Sequence, residues 1–149
     1  MIRDHGWIAA RVPHAGAMCL LDHVVEVGDE WIVCAAVSHR DPDNPLRAHG
    51  RLSSVHAIEY AAQAMALHRA FAAAATNAPP RGMLTSVRAV DCRVARLDDI
   101  AGDLRIEATR VSGEHDIVVY AFSVRDGARE LVSGRASAVL DIAEIGKRQ

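Results

Sequence analysis

The chain has 149 residues, enough for one domain with a hydrophobic core and too few for two ordinary domains. Half of the residues are hydrophobic and 24% are charged, which excludes a disordered tail, a fibre or a low-complexity protein. With a net charge of −2, the chain lacks the excess positive charge that nucleic acids and anionic membranes attract, so we expect neither as a partner. We predict a single domain over residues 1–149.

Cysteine usage and apolar segments indicate the compartment. The three cysteines, Cys19, Cys34 and Cys92, are far apart and form no CxxC pair. This pattern excludes a disulfide framework and a structural zinc site, and it is typical of a reducing cytoplasm. The N-terminus lacks the apolar stretch of a signal peptide, and no run approaches the roughly 20 apolar residues that span a bilayer. We therefore expect a cytoplasmic protein without a membrane segment.

The first half of the chain predicts one strand and one long helix. A lead-in over residues 1–12 and a mixed apolar segment over 18–25 precede a strand over 31–37, and a polar loop follows it. Ser53 and Ser54 are ready N-caps for a helix over 55–75, which contains no glycine or proline. This helix is rich in alanine and poor in large polar groups. We expect protein to surround it, with a sheet approaching its thin surface closely.

After residue 83 the apolar period changes from helical to two, which predicts strands. Residues 117–124 are apolar on both faces and predict a central strand, and Asp126-Gly127 is typical of a hairpin turn. A change of phase at Ala89-Val90 predicts a bulge. Alternating segments cover 90–94, 104–109 and 132–140. Small residues in the middle of the last strand suggest that the helix lies across it.

One strand, one long helix and then three or four antiparallel strands predict an α+β domain, in which an antiparallel sheet curls around one central helix. Aromatic residues make up only 4% of the chain, so alanine, valine and leucine must build the core. A single sheet on one helix leaves edges and apolar ends uncovered. We therefore expect an oligomer.

Two motifs resemble a known family. Residues 12–24 (VPHAGAMCLLDHV) are similar to the Leu-Pro-His opening of the hotdog-fold 3-hydroxyacyl-(acyl carrier protein) dehydratases, which runs into Leu-Leu-Asp-Arg-Val. Residues 58–64 (IEYAAQA) are similar to the Leu-Glu-Ala-Met-Ala-Gln of their central helix. The resemblance implies a hotdog fold that eliminates water from a 3-hydroxyacyl thioester in fatty-acid or polyene-type synthesis. It also implies an acyl carrier protein or coenzyme A thioester as partner, and no cofactor beyond the substrate's own pantetheine arm.

The sequence departs from this family in one loop. The Gly-His-Phe-Pro-Gly segment that supplies the family's catalytic histidine is absent, and Ala48-His49-Gly50-Arg51 stands in its place, closer to Glu59. In this respect the chain resembles the divergent dehydratases of aryl-polyene and related pigment clusters. The departure leaves open which histidine acts, and whether the chain works as a homo-oligomer or as half of a hotdog heterodimer.

Glu59 is the candidate general acid. A carboxylate in a buried, alanine-rich helix is costly unless it is neutral, paired or used in chemistry. Burial favours the protonated form, which could protonate the departing β-hydroxyl of the substrate. The structural alternative is a carboxylate that reaches solvent or pairs with an arginine.

The candidate base is a histidine, because imidazole titrates near neutral pH. His56 lies three residues before Glu59 and shares its helix face, whereas His49 matches the family histidine by order along the chain. Either could serve Glu59 of its own chain or of a partner. Ser53 and Ser54 stand where free N–H groups at a helix start could polarise the thioester carbonyl. Gln63, one turn after Glu59, could orient its carboxyl or make a structural hydrogen bond.

Other chemistries find little support. His56-x-x-Glu59 lacks further ligands at metal-site spacing, and GxSxG, P-loop and GxGxxG motifs are absent, so we expect neither a metal nor a nucleotide cofactor. Two alternatives to a dehydratase stay open. One is a hotdog thioesterase, in which a carboxylate activates water against the same thioester. The other is a non-catalytic subunit of a heteromeric dehydratase.

Overall fold

The described part of this computed structural model comprises residues 2–12, 16–74, 82–114 and 116–140. The prolines at positions 79 and 80, which follow the predicted helix, lie outside the described residues. Within the described residues, two helices and six strands follow one another: α1 (His5–Ala9), β1 (His23–Val27), β2 (Trp31–Ala36), α2 (Ala57–Ala74), β3 (Gly82–Cys92), β4 (Leu104–Glu114), β5 (Ile117–Asp126) and β6 (Arg129–Leu140). Short 3₁₀ turns cover Gly16–Met18, Ser38–Arg40 and Ser54–His56.

All six strands form one antiparallel sheet in the order β1-β2-β4-β5-β6-β3. Helix α2 packs across β2, β4 and β5. The predicted α+β class, with one long helix against an antiparallel sheet, is therefore confirmed. The predicted central strand is also confirmed, because β5 lies between β4 and β6. Strand β3 forms one edge of the sheet, so one side of its backbone has no partner strand within the described residues.

Two predicted local features are present. Asp126 pairs with Arg129 across a hairpin in which Gly127 has a φ of +58°. The pairing of β3 with β6 shifts register between Arg88 and Asp91, where Ala89 has a φ of +56°, so the predicted bulge is confirmed.

The prediction of a single strand before the helix is wrong. The mixed apolar segment over 18–25 runs into β1 (His23–Val27), which pairs with β2. Only Val24 of β1 is buried, so the strand has no alternation to detect and is defined by its partner. The start of the helix also differs, because residues Ser54–His56 form a 3₁₀ turn before α2 begins at Ala57. Here Ser54 N–H donates outside the helix to the Ala95 carbonyl at 3.1 Å.

Alanine makes close packing possible at the centre of the fold. Ala57, Ala61 and Ala64 of α2 are at most 1% exposed. The small centre of β6 serves a different partner from the one predicted. A Cβ on Gly134 would lie 2.9 Å from Cζ of Phe122, so the Phe122 ring on the neighbouring strand occupies that space.

Of the helices in the described ranges, none combines the length and apolarity that crossing a bilayer requires.

Candidate active site

The start of α2 brings four of the predicted site residues together. Ser53 is exposed and its Oγ accepts a hydrogen bond from Val55 N–H at 3.4 Å, as an N-cap does. Ser54 is buried at 4% exposure. Glu59 follows as the third residue of α2, and His56 precedes it by three residues; both side chains are half-buried. The spacing places the imidazole and the carboxyl on one side of the chain at the positive end of the helix dipole.

The amide N–H groups at this end are already engaged. Ser54 N–H donates to Ala95, and His56 N–H donates to the Ser53 carbonyl at 3.1 Å. Ala57 N–H donates back to the carbonyls of Ser54 and Val55. Together with the bond from Val55 to Ser53, these contacts leave none of the amides of residues 54–57 free to polarise a carbonyl in this protomer.

The carboxyl of Glu59 has no hydrogen bond or ion pair with any residue that the structure describes. Arginine pairing, the structural alternative for this carboxylate, is therefore not seen in these parts of the chain. The side chain is partly accessible on a face of α2 whose members are all half-buried: Ile58, Glu59, Ala62, Ala66 and Arg69. An uncommitted carboxyl beside small alanine side chains leaves room for a ligand or for a second subunit.

His49 lies at the tip of a tight turn. Ala48 N–H donates to the Arg51 carbonyl at 2.8 Å, and Arg51 N–H donates back to Ala48 at 3.0 Å. His49 and Gly50 both have positive φ, at +54° and +72°, which is the geometry of a type I′ turn. The imidazole is exposed. Neither a hydrogen bond nor an ion pair joins His49 to Glu59 within the described protomer.

Gln63 makes structural hydrogen bonds, which is the second of the two roles predicted for it. Its side chain is 2% exposed, its Oε1 accepts from Leu20 N–H at 2.9 Å, and its Nε2 donates to the Met18 carbonyl at 2.6 Å. Both ends of the carboxamide are thus bound to the segment before β1, and neither contacts Glu59.

A buried polar network beside Glu59 was missed by the sequence analysis. Asn44 Nδ2 donates to the Tyr60 hydroxyl at 3.2 Å, and that hydroxyl lies 2.8 Å from Ser38 Oγ. Since Ser38 Oγ donates to the Leu20 carbonyl at 2.7 Å, Tyr60 must donate to Ser38. Burial raises the pKa of Tyr60 and keeps the phenol neutral. The available signal was a tyrosine in a buried alanine-rich helix, whose hydroxyl needs a partner.

Two histidines away from the site are buried and structural. His39 Nε2 donates to the carbonyls of Ile100 and Gly102 at 3.1 and 2.9 Å. His68 Nε2 donates to the Asp29 carbonyl at 2.9 Å, and its Nδ1 lies 2.7 Å from the Tyr120 hydroxyl. Burial lowers the pKa of both imidazoles, so both favour the neutral form.

A cavity of about 280 Å³ lies near the start of α2. It is lined by Val94, Ala95, Arg96, Asp99, Ile100 and Arg129. Arg96 forms a hydrogen-bonded ion pair with Asp98, whose Oδ1 also accepts from Leu52 N–H at 2.8 Å. These bonds, that from Arg96 above all, hold the pKa of Asp98 well below its usual range. In the described ranges, no cluster of three histidine, cysteine or carboxylate side chains could hold a metal ion.

Known proteins share this architecture. A dehydratase heterocomplex, ApeI:P from Xenorhabdus doucetiae, matches with a TM-score of 0.80 and 24% identity over 95% of each chain. A mutant thioesterase from Pseudomonas aeruginosa matches with a TM-score of 0.61 and 12% identity over 94% of this chain and 95% of that one. A hypothetical thioesterase from Streptococcus pneumoniae, solved with coenzyme A, matches with a TM-score of 0.59 and 13% identity over 79% and 84%.

These likenesses confirm the predicted hotdog fold. A search among curated proteins finds no significant match. The model of the ApeP-like family, described as ApeP dehydratase, matches residues 7–144. Because that match spans nearly the whole sequence, the chain belongs to the ApeP-like family of dehydratases.

Proposed function

We propose that the protein eliminates water from a 3-hydroxyacyl thioester presented by an acyl carrier protein, with Glu59 as the general acid. The observation that carries this proposal is the uncommitted, half-buried carboxyl of Glu59 at the start of α2, in a chain of a dehydratase family. A side chain that must give a proton to a substrate oxygen has to be accessible and free of a competing ion pair. Glu59 meets both conditions in the described protomer.

The reaction needs one base and one acid. The base removes the proton from the α-carbon beside the thioester carbonyl, and the electrons of that C–H bond form the new α,β double bond. The β-carbon–oxygen bond breaks at the same stage, and the Glu59 proton converts the departing hydroxyl into water. The products are the enoyl thioester, water, a protonated base and the Glu59 carboxylate, and proton exchange with solvent restores the enzyme.

We assign the base to His49 and keep His56 as the alternative. His49 matches the family histidine by order, and its exposed imidazole stands at a backbone conformation that residues other than glycine rarely adopt. Such unfavourable conformations cluster at functional sites. Since neither a hydrogen bond nor an ion pair joins His49 to Glu59 within the described protomer, we infer that the pair acts across a subunit interface. His56, by contrast, would act with Glu59 of its own chain.

We propose that a second hotdog subunit completes the site. The half-buried face of α2 and the unpaired edge of β3 are the surfaces that such a subunit would cover. The Xenorhabdus doucetiae relative is a dehydratase heterocomplex, which supports a partner of the same fold here. The free thiols of Cys19, Cys34 and Cys92 support a reaction in the reducing cytoplasm.

The test is the mass of the acyl chain after incubation of a 3-hydroxyacyl carrier thioester with wild type, Glu59→Gln and Glu26→Gln. Glu26 is exposed on β1 and serves as the matched control. We expect wild type and Glu26→Gln to remove one water, and Glu59→Gln to be slower by about 100-fold or more. A Glu59→Gln variant as active as wild type would overturn the assignment of the acid.

A further inference from the structure

One side chain among the described residues, that of Arg47, hydrogen-bonds to the turn that carries His49 (residues 48–51). The chain directly after the turn is also anchored, because Leu52 N–H donates to Asp98 Oδ1 and the Leu52 carbonyl accepts from Leu97 N–H. Arg47 is half-buried and immediately precedes the turn. Its Nη1 donates to the Gly50 carbonyl at 3.4 Å, inside the turn, and its Nη2 donates to the His39 carbonyl at 3.1 Å, outside it. The guanidinium therefore connects two backbone segments that are eleven positions apart in number and share no strand pairing.

The backbone at the His39 end of this connection is fixed by burial and hydrogen bonds. His39 is 0% exposed, and its Nε2 donates to the carbonyls of Ile100 and Gly102. The neighbouring Ser38 carbonyl accepts from Asn44 Nδ2 at 2.9 Å. That same amide donates to Tyr60, the residue after Glu59 on α2. Hydrogen bonds from Asn44 and Arg47 to two successive carbonyls, of Ser38 and His39, thus connect the start of α2 to the guanidinium of Arg47 through one backbone segment.

The other end of the connection, the turn at residues 48–51, needs such support. Both central residues of the turn have positive φ, and histidine adopts this conformation far less readily than glycine. The two backbone bonds between Ala48 and Arg51 close the turn but do not fix its direction relative to α2. Leu52 anchors the end of the turn through Asp98 and Leu97, and the contact of Arg47 with the Gly50 carbonyl holds the middle of the turn, next to His49.

We propose that Arg47 is a positioning residue, which holds the His49 turn at a fixed place relative to the helix that carries Glu59. The inference rests on the proposed function, in which His49 takes the substrate proton. The planar guanidinium fork suits this task because it reaches two carbonyls at once from one rigid group, which an ammonium group does not. Arg51 closes the same turn but has an exposed side chain without a hydrogen bond in the described parts of the chain, so it provides a matched control.

The kinetic test compares Arg47→Met, Arg47→Lys and Arg51→Met in the wild-type and His49→Ala backgrounds. We expect Arg47→Met to lower kcat by about 10- to 100-fold with little change in KM, because a misplaced base slows proton removal without weakening binding. Arg47→Lys should recover only part of the loss, and Arg51→Met should match wild type. In the His49→Ala background, Arg47→Met should cause no further loss. An equal loss in both backgrounds would show that Arg47 acts independently of His49 and would overturn the proposal.

A second measurement separates this proposal from the proposed function. Hydrogen exchange of the Arg51 amide, which is bonded to Ala48, should be at least about 10-fold faster in Arg47→Met, while the amides of α2 keep their protection. Unchanged exchange would overturn the positioning role whatever the activity. Faster exchange in a protein that loses no activity on His49→Ala would leave Arg47 as the support of the turn and would remove His49 from the reaction.

Discussion

Gln63 on α2 and Leu20 ahead of β1 are joined by a 2.9 Å hydrogen bond from the Leu20 amide to the Gln63 Oε1, across 43 positions of sequence. Both residues are at most 2% exposed. The bond fastens the segment before the first strand to the middle of the central helix. It also commits Gln63, which the sequence placed one turn after Glu59, to a role in stability.

Replacement of Gln63 by leucine should destabilise the fold and spare the chemistry. The change leaves the Leu20 amide and the Met18 carbonyl buried without partners, which should lower the free energy of unfolding by about 1–3 kcal/mol or more. Denaturant titration measures this loss, and kcat per folded molecule should stay within about twofold of wild type. A variant with unchanged stability and a large loss of kcat would show that Gln63 acts on Glu59 instead.

A side chain at Gly134 should destabilise the fold, since an added Cβ would lie 2.9 Å from Cζ of Phe122 and 3.2 Å from Cγ2 of Val90. We expect Gly134→Ala to lower the free energy of unfolding by about 1–3 kcal/mol. Gly6→Ala is the control, because its Cβ would meet only Asp4 Oδ1 at an ordinary 3.5 Å. The explanation fails if Gly134→Ala remains as stable as this control after correction for helix propensity at Gly6.

Acidification should destabilise the protein from about pH 6.5 downward. Burial lowers the pKa of His39 and His68 from the ordinary value of 6.5, so the unfolded chain binds protons that the folded chain excludes. The stability contributed by the neutral imidazoles is complete above pH 6.5 and is lost as the pH falls toward their folded pKa. Unfolding titrations between pH 7.5 and 5 should show this decline, with a shallower slope in His68→Asn. A stability that stays level over this interval would contradict the burial of neutral histidines.

Asp98 should contribute to stability in a separate, more acidic window. Arg96 and the Leu52 amide bind its charged form and hold its pKa below the ordinary 3.8, so its contribution is present above pH 3.8 and is lost as the pH falls further. At neutral pH, Asp98→Asn should lower the free energy of unfolding by about 1.5–3 kcal/mol. The gap between wild type and variant should narrow steadily as the pH falls below 3.8, and a gap that stays constant over that interval would show that charge is not the cause.

Local pattern was sufficient to predict most of the fold. The period of two over 104–109 and the apolar run over 117–124, interrupted only by Ser123, predicted β4 and β5, and the alanine-rich stretch predicted α2. β1 was missed because Val24 is its only buried residue, so pairing with β2, rather than its own sequence, makes it a strand. The 3₁₀ turn before α2 was missed for a similar reason, since its geometry depends on a bond from Ser54 to Ala95.

The site was predictable only where its members are close in sequence. His56 and Glu59 follow from helical spacing. The Tyr60 network was not predictable because its partners lie 16 and 22 positions away, and the anchoring of His39 depends on carbonyls 61 and 63 positions away. Whether His49 reaches Glu59 of a second subunit depends on how two subunits assemble. For one protomer this contact is therefore a prediction.

The most direct test of the central claim is to measure acyl mass and free carrier thiol together after wild-type protein meets a 3-hydroxyacyl carrier thioester. A dehydratase converts the acyl chain to the enoyl form, lighter by one water, and leaves the thiol acylated. That is the result we predict. Release of free thiol with an intact 3-hydroxy acid would instead identify a thioesterase, and an unchanged substrate with folded protein would contradict a chain that catalyses dehydration by itself.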